Sequence, residues 1–174
     1  MWNRQQFLLL SGALALSVLG APLMTRAANG LAPPRARVVL SVTGAIGLTN
    51  APGRADFDLE ALERLGLVRL TTWTPWTEGE IAFEGVWARR LMEAVRATGS
   101  EVDALALNDY EQTIPLEDFD RYDVLLATRV NGRRMKVRDK GPIWIVYPWS
   151  QHPELDDFAT RERSVWQLSA LHVR

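Results

Sequence analysis

Chemistry-bearing side chains gather in three short stretches: Trp73-Thr74-Pro75-Trp76, Asn108-Asp109-Tyr110 and Asp139-Lys140-Gly141-Pro142. A tryptophan pair flanking a Thr-Pro dipeptide admits two readings. Each ring buries on the order of 200 Å² when it packs over a sheet edge, and a pair left accessible forms a flat aromatic surface for a planar ligand. Asn108, Asp109 and Tyr110 end an apolar run, which is where binding groups collect. A carboxylate such as Asp109 accepts two parallel N–H bonds from an amidine-like ring edge, and Asn108 adds a donor and an acceptor. An Asx turn joining two strands accounts for the same three residues. Lys140 precedes the apolar run Ile143 to Tyr147 as part of a charged turn, and Arg129 lies upstream in another apolar run. Arg133, Arg134, Lys136 and Arg138 form a basic stretch that reads as a solvated hairpin face, or as an anion site if it lines a pocket.

Other chemistries are excluded. The 174 residues contain no Cys and only two His, His152 and His172, so a thiolate metal site, a Cys nucleophile and a multi-His metal site are absent. No Ser/His/Asp order, phosphate-binding loop or His cluster occurs, and Glu78-Gly79-Glu80 lacks the histidines of a metal site. Hydrophobic residues make up 47% and charged residues 24%, an ordinary globular balance.

Residues 1–27 read as a secretory signal peptide: Arg4, the apolar run Phe7 to Leu23, and a small-residue ending at Thr25-Arg26-Ala27 with the cut after Ala27. Gly12, Gly20 and Pro22 interrupt the run and argue against a retained anchor. Asn3-Arg4-Gln5-Gln6-Phe7-Leu8 resembles a twin-arginine export signal with one of its two arginines, which leaves the export route open. A periplasmic location follows. Removing Arg4 and Arg26 leaves 18 basic against 21 acidic residues, a net charge of −3, which is no nucleic-acid-binding balance.

The elements that must position these residues follow from pattern. Residues 28–36, with Pro33-Pro34, read as a linker into a single domain over 37–174. Strands are expected over Val38 to Val42, Leu67 to Thr72, Ile81 to Phe83, Val102 to Leu107, Val124 to Val130 and Ile143 to Tyr147, with Val165 to Leu168 and Leu171 to Val173 closing the chain. Thr49 to Asp56 reads as a loop and Asn131-Gly132 as a hairpin turn into a strand over Arg133 to Arg138. Two short helices are expected: one capped by Asp58, with Leu59, Leu62 and Leu65 on its apolar face, and one with Trp87, Leu91 and Val95 inward, ending at Gly99. Gln151 to Arg163 reads as a polar surface loop and a candidate contact surface for a partner. Together these predict an α+β domain on a mixed sheet.

Phe83-Glu84-Gly85-Val86, then Leu107-Asn108-Asp109-Tyr110 with Ile114-Pro115-Leu116-Glu117, Leu125-Leu126-Ala127 to Asn131-Gly132, Lys140-Gly141-Pro142-Ile143-Trp144-Ile145-Val146-Tyr147-Pro148, and Trp166-Gln167-Leu168 resemble, in that order, the molybdopterin-binding domain of the sulfite oxidase superfamily. The resemblance runs from about Val38 to Val173 and implies a compact α+β fold with a pterin-holding cleft at strand ends. Two departures stand out. The position of the family's molybdenum-binding Cys is Thr72 here, and a neutral hydroxyl is a poor substitute for a soft thiolate. The position of its phosphate-holding Arg is Trp144.

With both departures the chain resembles the exported, molybdenum-free pterin-binding proteins of this fold. That resemblance implies a non-catalytic periplasmic protein that binds a reduced pterin and conveys ligand state to an inner-membrane signalling protein, a cyclic-di-GMP enzyme or a sensor kinase. It also implies roles for the clustered residues: Trp73, Trp76 and Trp144 wall the ring, Asp109 and Asn108 bond its amidine edge, Tyr110 and Arg129 complete the rim, and Lys140 meets a ligand oxygen. The alternatives are a molybdopterin-dependent oxidoreductase or its cofactor-carrying accessory subunit, and a structural domain with an empty cleft.

Overall fold

The computed structural model describes residues 30–174, so the expected signal peptide lies outside the described residues. After an irregular lead-in come β1 (Leu40–Gly44), β2 (Arg54–Phe57), α1 (Leu59–Glu63), β3 (Val68–Thr72), β4 (Ile81–Trp87), α2 (Ala88–Val95), β5 (Glu101–Ala106), β6 (Glu111–Pro115), α3 (Leu116–Arg121), β7 (Leu125–Val130), β8 (Arg133–Arg134), β9 (Trp144–Val146), α4 (Phe158–Arg163) and β10 (Leu168–Val173). One five-stranded sheet has the order β2-β1-β10-β5-β6, and the other runs β3-β4-β7-β8 with β9 also paired to β7. Among the described residues only β1 and β10 pair in parallel, and the other strand pairings are antiparallel. The fold is thus the expected α+β domain with mixed sheets and short helices.

Alternation sets which faces are buried. β5 buries Val102, Ala104 and Ala106 and turns Glu101, Asp103 and Leu105 outward, while β7 and β9 are buried almost throughout. Residues of both sheets join one core that includes Leu40, Val42, Phe83, Leu91, Leu126 and Ile145. In β4, Gly85 lies so close to β7 that an added Cβ would fall 2.1 Å from the Leu126 carbonyl oxygen, so the bulged pairing there admits no side chain.

The helices depart most from expectation. Among the described residues there are four; α3 and α4 are not expected from the sequence because each presents few apolar residues and so lacks the periodic stripe that marks a helix. α4 forms inside the stretch expected as a surface loop. Its start is set by Asp157, whose carboxylate accepts from the Thr160 amide and hydroxyl, both at 2.9 Å. α2 ends four residues before Gly99, at Val95, with Arg96 in the left-handed conformation as its cap. The expected basic strand stops at Arg134, where the chain turns into a 3₁₀ segment over Val137–Asp139. β2 occupies the end of the expected loop.

Asp58 behaves as its position predicts. It accepts from the Ala61 amide (2.6 Å), capping α1, and its other oxygen accepts from the Arg35 and Ala36 amides (2.6 and 2.9 Å), tying the lead-in to the domain. The Ala61 bond leads the interactions that hold its carboxyl below the ordinary range, outweighing the cost of burial. A depressed folded-state pKa means this contribution is complete above the unfolded value, about 3.9, and is lost as pH falls through the lower folded value. Asp58→Ala is therefore expected to lower unfolding free energy by about 1–2 kcal/mol at neutral pH, with the difference from wild type shrinking in acid; urea melts at pH 7 and pH 3 measure both.

Candidate functional site

β3 delivers the chain into the cleft. Thr72, its last residue, is fully buried; its hydroxyl donates to the Trp73 carbonyl (3.0 Å) and accepts from the Ser150 amide (2.9 Å). Ser150 returns the contact, its hydroxyl accepting from the Trp73 amide at 3.1 Å. The next four residues close a turn in which the Thr74 amide donates to the Thr77 hydroxyl (2.9 Å) and the Thr77 amide to the Thr74 carbonyl (3.0 Å). That turn fixes Trp76, 36% exposed, at the edge of the cleft.

Around it five tryptophans form one connected aromatic group. Trp76 meets Trp144, Trp149 and Trp166 edge-on, with centroids at 5.9, 6.2 and 5.2 Å, and Trp73 lies 6.2 Å from Trp149. Trp144 is only 2% exposed; its indole N–H donates to the Ser164 hydroxyl (3.1 Å), which donates in turn to the Ile145 carbonyl (2.6 Å). Lys140 places its ammonium 4.5 Å from the Trp166 centroid and 5.6 Å from that of Trp144.

Between this group and α4 lies a cavity of about 230 Å³. One side is Trp76, Asn108 and Tyr110; the other is Arg161 and Glu162 from α4 with Ser164, Val165 and Trp166 behind them. Its volume falls below the ~300 Å³ at which drug-sized sites begin, which suits one compact ring system. Trp76 and Trp166 stand at 85° to each other, so a planar ligand stacked on one ring meets the other at its edge. The Tyr110 hydroxyl donates to Glu162 Oε2 at 2.9 Å; burial, then Glu162, raises its pKa and keeps it a donor. Asn108 Oδ1 accepts from the Tyr110 amide at 3.3 Å, so the Asx turn and the cavity wall are the same residues.

Five expected site residues, Trp73, Asp109, Arg129, Lys140 and Trp144, lie outside the lining. Arg129 is committed to Glu63 on α1 through Nε (3.1 Å) and Nη2 (2.8 Å), with Thr128 and Arg134 on the same carboxylate. Burial pushes the Glu63 carboxyl up, but these hydrogen bonds and charges leave it below its usual range and raise Arg129. It is an internal brace, not a rim group. Trp73 packs on Trp149 behind the lining. Asp109 takes a left-handed φ of 64° in the turn, exposed and outside the lining. Trp144 is buried behind Trp76 and Trp166 and does not reach the lining, and Lys140 sits over the Trp166 ring. Trp149, Trp166, Arg161, Glu162 and Ser164 complete the site without having been singled out as ligand contacts; the only sequence cue was Trp166 within the last resembling segment.

The geometry is that of a small-molecule-binding domain with its cleft at strand ends. The model of the oxidoreductase molybdopterin binding domain matches residues 53–151, and the chain belongs to that family, whose domains bind a pterin-type cofactor. Among solved structures the sulfane dehydrogenase SoxCD from Paracoccus pantotrophus superposes with a TM-score of 0.57 at 18% identity, covering 77% of this chain and 37% of that one. The likeness is one of fold, and this chain spans little more than a third of that chain's length. No curated protein matches the chain.

Removing the Thr72 hydroxyl strands the buried Ser150 amide and frees the Trp turn. Thr72→Val is expected to cost about 1–3 kcal/mol, read as a lowered urea midpoint with unchanged slope.

Proposed function

We propose that this protein binds a reduced pterin in the cavity lined by Trp76, Trp166 and α4 without turning it over, and that it does so in the periplasm, where occupancy is conveyed to an inner-membrane signalling protein such as a cyclic-di-GMP enzyme or a sensor kinase. The observation that carries this reading is the state of Thr72. At the position that resembles the family's molybdenum ligand, the hydroxyl is fully buried with its proton and an acceptor site both used. No Cys exists in the chain. Among the described residues there is no cluster of three His, Cys, Asp or Glu, and no buried side-chain polar atom lacks a partner. The donor set therefore does not fit a molybdenum centre. Trp144, where the resemblance places a phosphate-holding Arg, removes an anion contact and adds aromatic surface.

What remains fits a flat, compact, uncharged ring. Trp76 or Trp166 stacks on it, Asn108 meets ring oxygens and nitrogens at the edge, Lys140 backs Trp166, and Ser164 holds Trp144 behind the rings. Export is supported by the pattern of residues 1–27, and among the described residues no helix is long and apolar enough to cross a membrane. For signalling, the loaded and empty forms must differ in affinity for the partner.

Tetrahydropterin titration is expected to quench tryptophan fluorescence saturably, and Trp166→Ala to weaken binding by roughly 1–3 kcal/mol, about five- to a hundred-fold in Kd. No saturable signal from the wild type overturns the reading. Mass spectrometry of protein recovered from the periplasm of a molybdenum-replete host is expected to show a mature chain starting near Ala28 and far less than one molybdenum per chain. Near-equimolar molybdenum would favour the oxidoreductase alternative instead.

A further inference from the structure

We propose that Glu162, and not Asp109, is the carboxylate that selects the ligand, by accepting the paired N–H donors of a 2-amino-4-oxo pyrimidine edge. The inference rests on the pterin reading and adds the residue that would make it selective. Glu162 lines the cavity together with Trp76 and Trp166, whereas Asp109 does not. Its position is fixed from three directions. Asp157 caps the start of α4; Arg163 Nη1 at its end binds Asp118 at 3.0 Å, the same oxygen that accepts from the Tyr147 hydroxyl at 2.9 Å. Tyr110 holds the carboxylate itself through Oε2. Among the described residues Oε1 accepts no hydrogen bond, and each carboxylate oxygen has two acceptor sites, so a bidentate contact needs no rearrangement of Tyr110.

The neighbouring residue completes the edge. Arg161 lines the same cavity and directs Nε and Nη2 at Asp156 Oδ1, and among the described residues its Nη1 is uncommitted. A 2-amino-4-oxo ring carries its 2-amino and N3 donors beside its 4-oxo acceptor, and a carboxylate followed by a guanidinium matches that order of donors and acceptor. A 2,4-dioxo ring replaces the 2-amino donors with an acceptor and sets an oxygen against the Glu162 carboxylate. A site built to bond an N–H group rejects an analogue lacking it, because its own polar group is then left unpaired.

The test compares 6,7-dimethyltetrahydropterin with 6,7-dimethyltetrahydrolumazine, its 2-oxo counterpart, by tryptophan fluorescence and calorimetry on the full mature chain. Wild type is expected to prefer the tetrahydropterin by about ten-fold or more. Glu162→Gln is expected to lose about ten- to a hundred-fold for the tetrahydropterin and to narrow the preference, because its amide can donate to the 2-oxo group. Tyr110→Phe is expected to lose less, through a carboxylate no longer held, and Asp109→Asn to bind as wild type. Equal wild-type affinity for the two ligands overturns the proposal without recourse to any variant. So does a folded Glu162→Gln that keeps wild-type affinity and preference, or a loss confined to Asp109→Asn; each of these leaves the pterin reading standing. Wild-type protein that binds neither ligand overturns both.

Discussion

The edge-on contact of Trp76 with Trp166 joins two parts of the chain whose backbones meet through an antiparallel bridge, Trp144 to Trp166. Trp76 comes from the turn after β3, in one sheet, and Trp166 from the segment feeding β10, in the other. Trp144 stands between them from β9, 5.9 Å from one ring and 6.4 Å from the other. Perpendicular aromatic pairs contribute about 0.5–1.5 kcal/mol each beyond the area they bury, so a chain of them holds two loops in a defined relation without closing the space between them. The cavity exists because the rings meet at edges. Parallel stacking would have filled it.

The two sides of that cavity have different standing. The Trp76, Asn108 and Tyr110 side falls within the stretch matched by the family model, residues 53–151, while Arg161 through Trp166 lie beyond it. The matched part supplies β2 through β9 and the turn that Thr72 locks, while β1 and β10 lie outside it. The remainder supplies the charged groups of the cavity lining. Thr72 ties the end of β3 to Ser150 by hydrogen bonds.

Alternation and turn residues made most strands legible, since β5, β7 and β9 bury one or both faces and their composition says so. Asp58 was legible because capping is a local interaction three residues long. α4 was not, because its six residues bury only Thr160 while Phe158 is 78% exposed, and nothing periodic separates such a helix from a loop. With α4 went Glu162. Asp109 stands out as an acid beside Asn108 and Tyr110, but the Asx turn that the same three residues also predict gives it a left-handed backbone and leaves it outside the lining. The place of Arg129 is set at long range: its partner, Glu63, lies 66 residues away on α1.

The parallel pairing of β1 with β10 has a kinetic meaning. Thr43 faces His172 across 129 residues, and β10 is the central strand of its sheet, flanked by β1 and β5. Loop closure on that scale makes such a sheet slow to assemble, and it cannot begin to close until β10 is available. Because α4, Ser164 and Trp166 immediately precede that strand, half of the cleft is organised only in this late step. A chain that has formed this cleft has therefore already closed the sheet around β10, and a ligand in the cleft would add its binding energy to the last contacts made instead of the first.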